Sequence, residues 1–287
     1  MKLRWHALIA ATLALATSPA FALTGTFKEV DTFGDNPGEL RMFTYVPAQL
    51  PTDKPVPLVV ALHGCLQTAE DFYKATGWAE LADEKKFILL LPQQPSTVNA
   101  LSCFDWYEPV NQKAGDGEPL SIKNMISTVT KHLYPKRIDE KAIYVTGLSA
   151  GAAMTGTMMA AYPQVFAGGA IVAGPPYHCA DDLMSGNICM GPAHPDLTPD
   201  QWGKLVRNAG TAPGALRKVS IWIGSDDAVV DPGNLKEDME QWTNVFGVSQ
   251  QPVVSTQVAS AVKNNTNSQN QHKDTVSSSS LILTTYL

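Results

Sequence analysis

Five residues, Gly147-Leu148-Ser149-Ala150-Gly151, constrain this chain more than any other stretch. They read G-x-S-x-G and sit at a change of pattern. Ala142-Ile143-Tyr144-Val145-Thr146, just before them, is rich in β-branched and aromatic residues and reads as a buried strand. Ala150-Gly151-Ala152-Ala153-Met154, running out of them, is a small-residue segment suited to a helix packed close to that strand. A strand that turns into a helix over one residue needs glycine on either side, because a Cβ there meets neighbouring backbone. Ser149 then sits on a tight turn with its hydroxyl lifted clear of the sheet. That is the geometry of a nucleophile elbow.

The rest of the chain supplies the sheet that such a turn needs. Pro57 to Leu62 and Phe87 to Leu91 are unbroken apolar runs, as expected of strands buried on both faces. Gly25 to Thr32 and Leu40 to Val46 read as two strands joined by the turn Gly34-Asp35-Asn36-Pro37-Gly38. Phe166 to Ala173, Lys218 to Ile223 and Pro252 to Ala259 add further strands. Helical spacing runs over Ala69 to Lys86, with Phe72, Trp78, Leu81 and Ala82 on the inner face, and over Leu120 to Leu133, Gly151 to Tyr162 and Asn234 to Phe246. Strands alternating with helices predict an α/β fold, a mostly parallel sheet with helices on both faces. Two stretches interrupt the alternation: a long irregular segment, Gln93 to Pro119, and an insertion-like region, Pro175 to Pro213.

The ends read differently. Met1-Lys2-Leu3-Arg4, the apolar run Ala7 to Thr17 and the A-x-A ending of Ser18-Pro19-Ala20-Phe21-Ala22 form an export signal over residues 1–22. Cleavage after Ala22 takes 22 of the 287 residues and leaves 265, enough for one α/β domain over residues 23–263. Residues 264–287 are a polar, low-complexity, atypical tail. Loss of Lys2 and Arg4 moves the net charge from −6 to −8, which opposes nucleic-acid binding and adhesion to anionic membranes. No other apolar stretch is long enough for a membrane span. The expected location is the periplasm or the medium. An even set of four cysteines fits that compartment, and of the three possible pairings Cys65–Cys103 with Cys179–Cys189 is favoured. With no C-x-x-C pair and no histidine cluster, neither a metal nor another cofactor is expected.

A serine hydroxyl needs a base, and the base needs an acid to orient it. Downstream of Ser149, the strand ending at Ile223 leads to Gly224-Ser225-Asp226-Asp227. A carboxylate just past a strand end lies on the functional edge of a parallel sheet. Asp227, which opens D-x-x-V with Val230, is preferred as the acid over Asp226. Two backbone N–H groups must hold the oxyanion. One belongs to Ala150, after the nucleophile. The other is assigned to Cys65, in the His63-Gly64-Cys65 loop after an early strand, with His63 in a structural role. Trp106 and Tyr107, following Cys103, are candidate walls of an apolar or aromatic acyl pocket, with plain loop packing as the other reading. His272 is the one histidine downstream of Asp227 and is the expected base. It sits in the polar segment Asn270-Gln271-His272-Lys273-Asp274, before the last apolar run rather than after a strand. His178 and His194, in the insertion-like region, are the other options.

These segments together resemble the secreted polyhydroxybutyrate depolymerase-like esterases, related to feruloyl and acetylxylan esterases. The resemblance rests on Leu62-His63-Gly64-Cys65-Leu66-Gln67-Thr68-Ala69, Cys103-Phe104-Asp105-Trp106-Tyr107, Gly115-Asp116-Gly117-Glu118-Pro119, Tyr144 to Gly151, Gly174-Pro175-Pro176-Tyr177 and Gly224 to Val230, in that order. It implies an α/β-hydrolase fold and cofactor-free hydrolysis of carboxylic esters. It further implies Ser149 as nucleophile, Asp227 as acid and Cys65 with Ala150 as oxyanion donors, and it supports the same two disulfides. The expected substrates are 3-hydroxybutyrate oligomers or feruloyl-type aryl esters. The departure is the C-terminus: the family carries its histidine in a G-H loop after a strand, and residues beyond about Lys263 do not follow that pattern. The alternative is therefore a catalytically impaired hydrolase-fold protein that binds polyester or polysaccharide.

Overall fold

The computed structural model describes residues 23–209, 218–259 and 280–285, with side chains placed up to residue 254. The expected export signal, His272 and most of the polar tail lie outside the described residues.

Seven strands form one sheet: β1 (Thr26–Val30), β2 (Arg41–Val46), β3 (Val56–Leu62), β4 (Ile88–Gln93), β5 (Ile138–Leu148), β6 (Gly168–Val172) and β7 (Val219–Trp222), in the order β1-β2-β4-β3-β5-β6-β7. The β1–β2 and β2–β4 pairs are antiparallel, and every other pair is parallel. Two further strands, β8 (Val254–Ala259) and β9 (Ser280–Thr285), pair only with each other.

Alternation along the strands decides what each face carries. Leu58, Val60 and Leu62 of β3, Ile88 and Leu90 of β4, and Val145 of β5 point into one core. The helices α3 (Gly117–Thr128) and α4 (Ala150–Ala161) complete it. Val59, Ala61, Leu89 and Leu91, one residue out of phase, point into a second core against α1 (Ala69–Ala75) and α2 (Trp78–Lys85). Helices thus cover both faces of the mostly parallel sheet, as the alternation of the sequence predicts. The insertion-like region folds as two helices, α5 (Leu183–Met190) and α6 (Pro199–Asn208), and α7 (Asn234–Phe246) packs on α6.

Three local expectations are corrected. The helix expected over Ala69 to Lys86 is two helices, because Gly77 adopts φ 71° between them and breaks the run. Leu81, expected inside, is 37% exposed as a result. Pro92 does not stop its strand: it lies within β4 opposite Met42, beyond the last residue that β4 pairs with β3, so its missing N–H costs nothing there. The helix expected from Leu120 starts earlier, at Gly117, where the Asp116 carboxylate accepts the Gly117 N–H.

One feature of α7 has no counterpart in that reading. Asn234, Asp238 and Trp242 recur at helical spacing and are all buried. Asn234 Oδ1, both Asp238 carboxylate oxygens and Trp242 Nε1 make no hydrogen bond among the described residues. Burial pushes the Asp238 carboxyl well above its ordinary range, and the neighbouring Glu237 adds to the shift. A raised carboxyl favours the folded state fully below its unfolded pKa and loses that contribution as pH rises through the folded value. Asp238→Asn is therefore expected to raise the melting temperature at pH 8 and to change it little at pH 4. Thermal melts at the two pH values check this, and an equal shift at both would contradict it.

Candidate active site

Ser149 lies between β5 and α4 with φ 55° and ψ −120°, a left-handed backbone that a non-glycine residue adopts only under constraint. The constraint is visible. The Ser149 N–H donates to the Val172 carbonyl at 3.0 Å, and the Ser149 carbonyl accepts the Ala152 and Ala153 N–H groups at 2.8 and 3.0 Å. The flanking glycines are required sterically. A Cβ on Gly147 would run into the Gly151 carbonyl, and one on Gly151 would run into the Leu62 and His63 carbonyl oxygens. The strand-to-helix turn expected from G-x-S-x-G is thus present.

The His63–Cys65 loop follows β3 and lies directly against Ser149. A Cβ built on Gly64 would stand 3.5 Å from Ser149 Cβ and 3.4 Å from the Leu148 carbonyl oxygen. Ala150 opens α4, so its N–H is among the first-turn donors that a helix leaves without an internal acceptor. Among the described residues the Cys65 N–H has no acceptor. His63 is fully buried. Its Nδ1 lies 2.7 Å from the Gly64 carbonyl and its Nε2 accepts the Gln94 N–H at 3.1 Å. Those partners assign the proton to Nδ1, and burial holds the imidazole pKa below its ordinary value. A neutral, doubly bonded ring braces the loop.

Both expected disulfides are formed, Cys65–Cys103 and Cys179–Cys189. The first ties the His63–Cys65 loop to the long irregular segment, and the Leu66 N–H adds a bond to the Leu101 carbonyl at 2.7 Å. Its cysteines are 38 positions apart, so chain-entropy arguments give it about 4 kcal/mol of stability. The double change Cys65→Ser with Cys103→Ser is expected to lower the unfolding free energy by roughly that amount in urea titrations.

Leu148, Val172 and Trp222 are register partners across β5, β6 and β7. Asp227 lies five residues past Trp222, so its loop leaves the sheet at the same edge as the Ser149 turn, two strands or roughly 10 Å across. One Asp227 oxygen, Oδ1, accepts the Val229 and Val230 N–H groups at 2.9 and 3.0 Å, which fixes the carboxylate in its turn. Oδ2 has no hydrogen-bond partner among the described residues. Asp226 is exposed.

The two histidines of the insertion-like region have local partners. His194 Nε2 is 3.6 Å from Asp231 Oδ1, and Asp231 also donates its N–H to the Met190 carbonyl at 2.7 Å. His178 Nε2 is 3.8 Å from Asp181 Oδ1. Trp106 is 4% exposed and packs in the main core, so its environment is that of a core residue. Tyr107 is half-buried, with its ring against Gly186 of α5 and its hydroxyl donating to Asp105 Oδ1 at 3.0 Å.

An open, apolar groove of about 490 Å³ borders the same sheet edge, lined by Trp78, Thr146, Ala170, Val172, Trp222 and Gly224 among others. Sequence reasoning did not single out this groove. Nor did it single out the buried polar group behind the His63–Cys65 loop: Gln94, Asn111 and Glu118. The available signal was two glutamines closing an otherwise apolar strand and a glutamate beside Pro119 at a helix start.

Known proteins resemble this chain in sequence and in fold. Residues 40–191 match the family model described as Esterase PHB depolymerase. The chain is 47% identical over 247 residues to poly(3-hydroxyalkanoate) depolymerase C of Paucimonas lemoignei, covering 86% of this chain and 57% of that protein's length. It is 34% identical over 252 residues to feruloyl esterase B of Thermothelomyces thermophilus, covering 84% of this chain and 82% of that one. Among solved structures, an acetyl xylan esterase from Aspergillus awamori superimposes with a TM-score of 0.73 at 29% identity, covering 81% of this chain and 84% of that one.

Proposed function

Because the chain belongs to the PHB depolymerase esterase family, we propose that it is an exported serine esterase that hydrolyses carboxylic esters through an acyl-enzyme. The observation that carries the proposal is Ser149, held at φ 55° on a strand-to-helix turn with its N–H fixed by Val172. Nothing about a structural serine requires that strain or the two glycines that permit it.

In the reaction, the Ser149 hydroxyl oxygen attacks the ester carbonyl carbon while a histidine takes the hydroxyl proton. The carbonyl oxygen becomes an oxyanion between the Cys65 and Ala150 N–H groups. Collapse breaks the carbon–oxygen bond to the alcohol, which leaves with the proton. Water then attacks the acyl-serine by the same route and releases the acid and the free enzyme. Asp227 Oδ2 holds the imidazole in the tautomer that keeps its second nitrogen free for the serine. His272 is assigned as that imidazole, being the histidine downstream of Asp227. Tyr107, beside the disulfide-tied loop, is assigned to the acyl side of the site.

The named relatives act on poly(3-hydroxyalkanoate) and feruloyl esters, and the proposed substrates are 3-hydroxybutyrate oligomers or feruloyl-type aryl esters. Export to the periplasm or medium is supported by the two disulfides and by the Met1–Ala22 segment. No helix among the described residues is long and apolar enough to cross a membrane.

A panel of p-nitrophenyl, feruloyl and hydroxybutyrate esters tests the proposal. Turnover of at least one class, reduced by several orders of magnitude in His272→Ala, is the expected result. Equal weak hydrolysis by both proteins would remove His272 as the base and favour a binding protein on a hydrolase fold.

A further inference from the structure

Behind the His63–Cys65 loop lies a carboxylic acid that the reaction above does not use. Glu118 is 2% exposed and makes no ion pair among the described residues. Both of its oxygens accept the Asp105 N–H at 3.1 Å, and Oε1 also accepts the Gln94 side-chain amide at 2.7 Å. Asn111 closes the arrangement: its Oδ1 accepts the Glu118 N–H at 2.8 Å and its Nδ2 donates to the Asp105 carbonyl at 3.1 Å. The Asp105 N–H is therefore held by Glu118 from the start of α3, and its carbonyl by Asn111 from the turn before that helix.

Two routes lead from this grip to the loop beside Ser149. On one, the Gln94 side chain is held by Glu118 while its backbone N–H donates to His63 Nε2, and His63 Nδ1 is bonded to the Gly64 carbonyl. On the other, the Asp105 carboxylate accepts Asn99 Nδ2 at 2.7 Å, and Asn99 Oδ1 accepts the Cys103 N–H at 3.3 Å. Cys103 carries the disulfide to Cys65. Both routes end within one residue of the N–H assigned to the oxyanion.

We propose that Glu118 is a positioning residue for the oxyanion loop: it fixes Gln94 and Asp105, and through them sets where the Cys65 N–H points. The proposal rests on the serine-esterase reading for its catalytic consequence. A buried carboxyl suits the position because it offers two acceptor oxygens to donors arriving from two directions. Glutamine offers one, and its amide would face the Asp105 N–H or the Gln94 amide, a donor against a donor. Burial raises the Glu118 pKa well above its ordinary value, and the neighbouring Asp105 carboxylate adds to the shift.

A misaimed oxyanion donor weakens transition-state binding more than substrate binding. Glu118→Gln is expected to lower kcat on a p-nitrophenyl ester by about tenfold to a hundredfold with KM changed less than about twofold. Amide exchange followed by NMR should quicken at residues 63–66 and 103–105 and stay unchanged in α4. An unchanged kcat, or wild-type exchange rates at 63–66, would overturn the proposal. If Glu118→Gln does not fold, Asn99→Ala cuts the second route at a half-exposed residue. It should lower kcat in the same direction, and an unchanged kcat would again overturn the proposal. In the unaltered protein, an Asp105 amide that exchanges as fast as exposed Leu101 would do so as well. Absence of turnover in the unaltered protein would sink the esterase reading by itself, while exchange at 63–66 would still decide whether Glu118 holds the loop.

Discussion

Ser149→Ala is expected to cut ester turnover by about four to six orders of magnitude while leaving the fold intact. The two halves of that expectation have separate causes. The rate falls because no other atom at the elbow can form the acyl-enzyme, so only binding and the oxyanion donors remain to favour hydrolysis. The fold survives because the features that hold the turn are backbone features. The N–H of residue 149 still donates to Val172, its carbonyl still accepts Ala152 and Ala153, and alanine at φ 55° bears the same strain as serine. Steady-state kinetics with matched circular dichroism and melting curves check both halves. Loss of activity with loss of the fold would leave Ser149 a structural residue, and retained turnover would remove it from the mechanism.

Gly151→Val is expected to do the reverse, destroying the structure before the chemistry is reached. A Cβ at 151 would lie 2.5 Å from the His63 carbonyl oxygen and closer still to that of Leu62. Real side chains do not make such contacts, and here the opposing atoms are the backbone of β3, the strand in the middle of the sheet. Neither α4 nor β3 can retreat without opening the core that Met154, Met158, Leu58 and Val60 fill. Overpacking of ordinary side chains costs about 1–3 kcal/mol, and a backbone collision exceeds that range. A loss of more than about 3 kcal/mol is a large part of the stability of a single domain. Denaturant titration of the purified variant, or its failure to accumulate as soluble protein, checks this. A wild-type midpoint would mean that the elbow is not the tight turn described here.

Much of this was written in local patterns. The unbroken apolar runs of β3 and β4 and the small-residue α4 told their own story, because burial on two faces leaves no room for polar residues. The G-x-S-x-G turn was legible because its steric demand falls on adjacent residues. What stayed hidden depends on contacts between distant positions. The break at Gly77 could not be told from a helical glycine by spacing alone. The place of Trp106 after Cys103 left pocket wall and loop packing equally open, and only the fold shows that its ring packs in the main core. Nothing in the local pattern around Glu118 marks it as buried, and only its bonds to Asp105 and Gln94 show how its carboxyl is accommodated inside the fold. The orphaned oxygens of Asp238 were likewise invisible, since the helical pattern of α7 marks which residues share a face but not what lies opposite.

The proposed chemistry turns on one atom, the Ser149 hydroxyl oxygen as an activated nucleophile. Labelling the unaltered protein with a fluorophosphonate and locating the adduct by mass spectrometry tests this directly. A single adduct is expected on the peptide containing Gly147 to Gly151, absent in Ser149→Ala. A folded protein that takes up no label, or takes it up on a different serine, would contradict it.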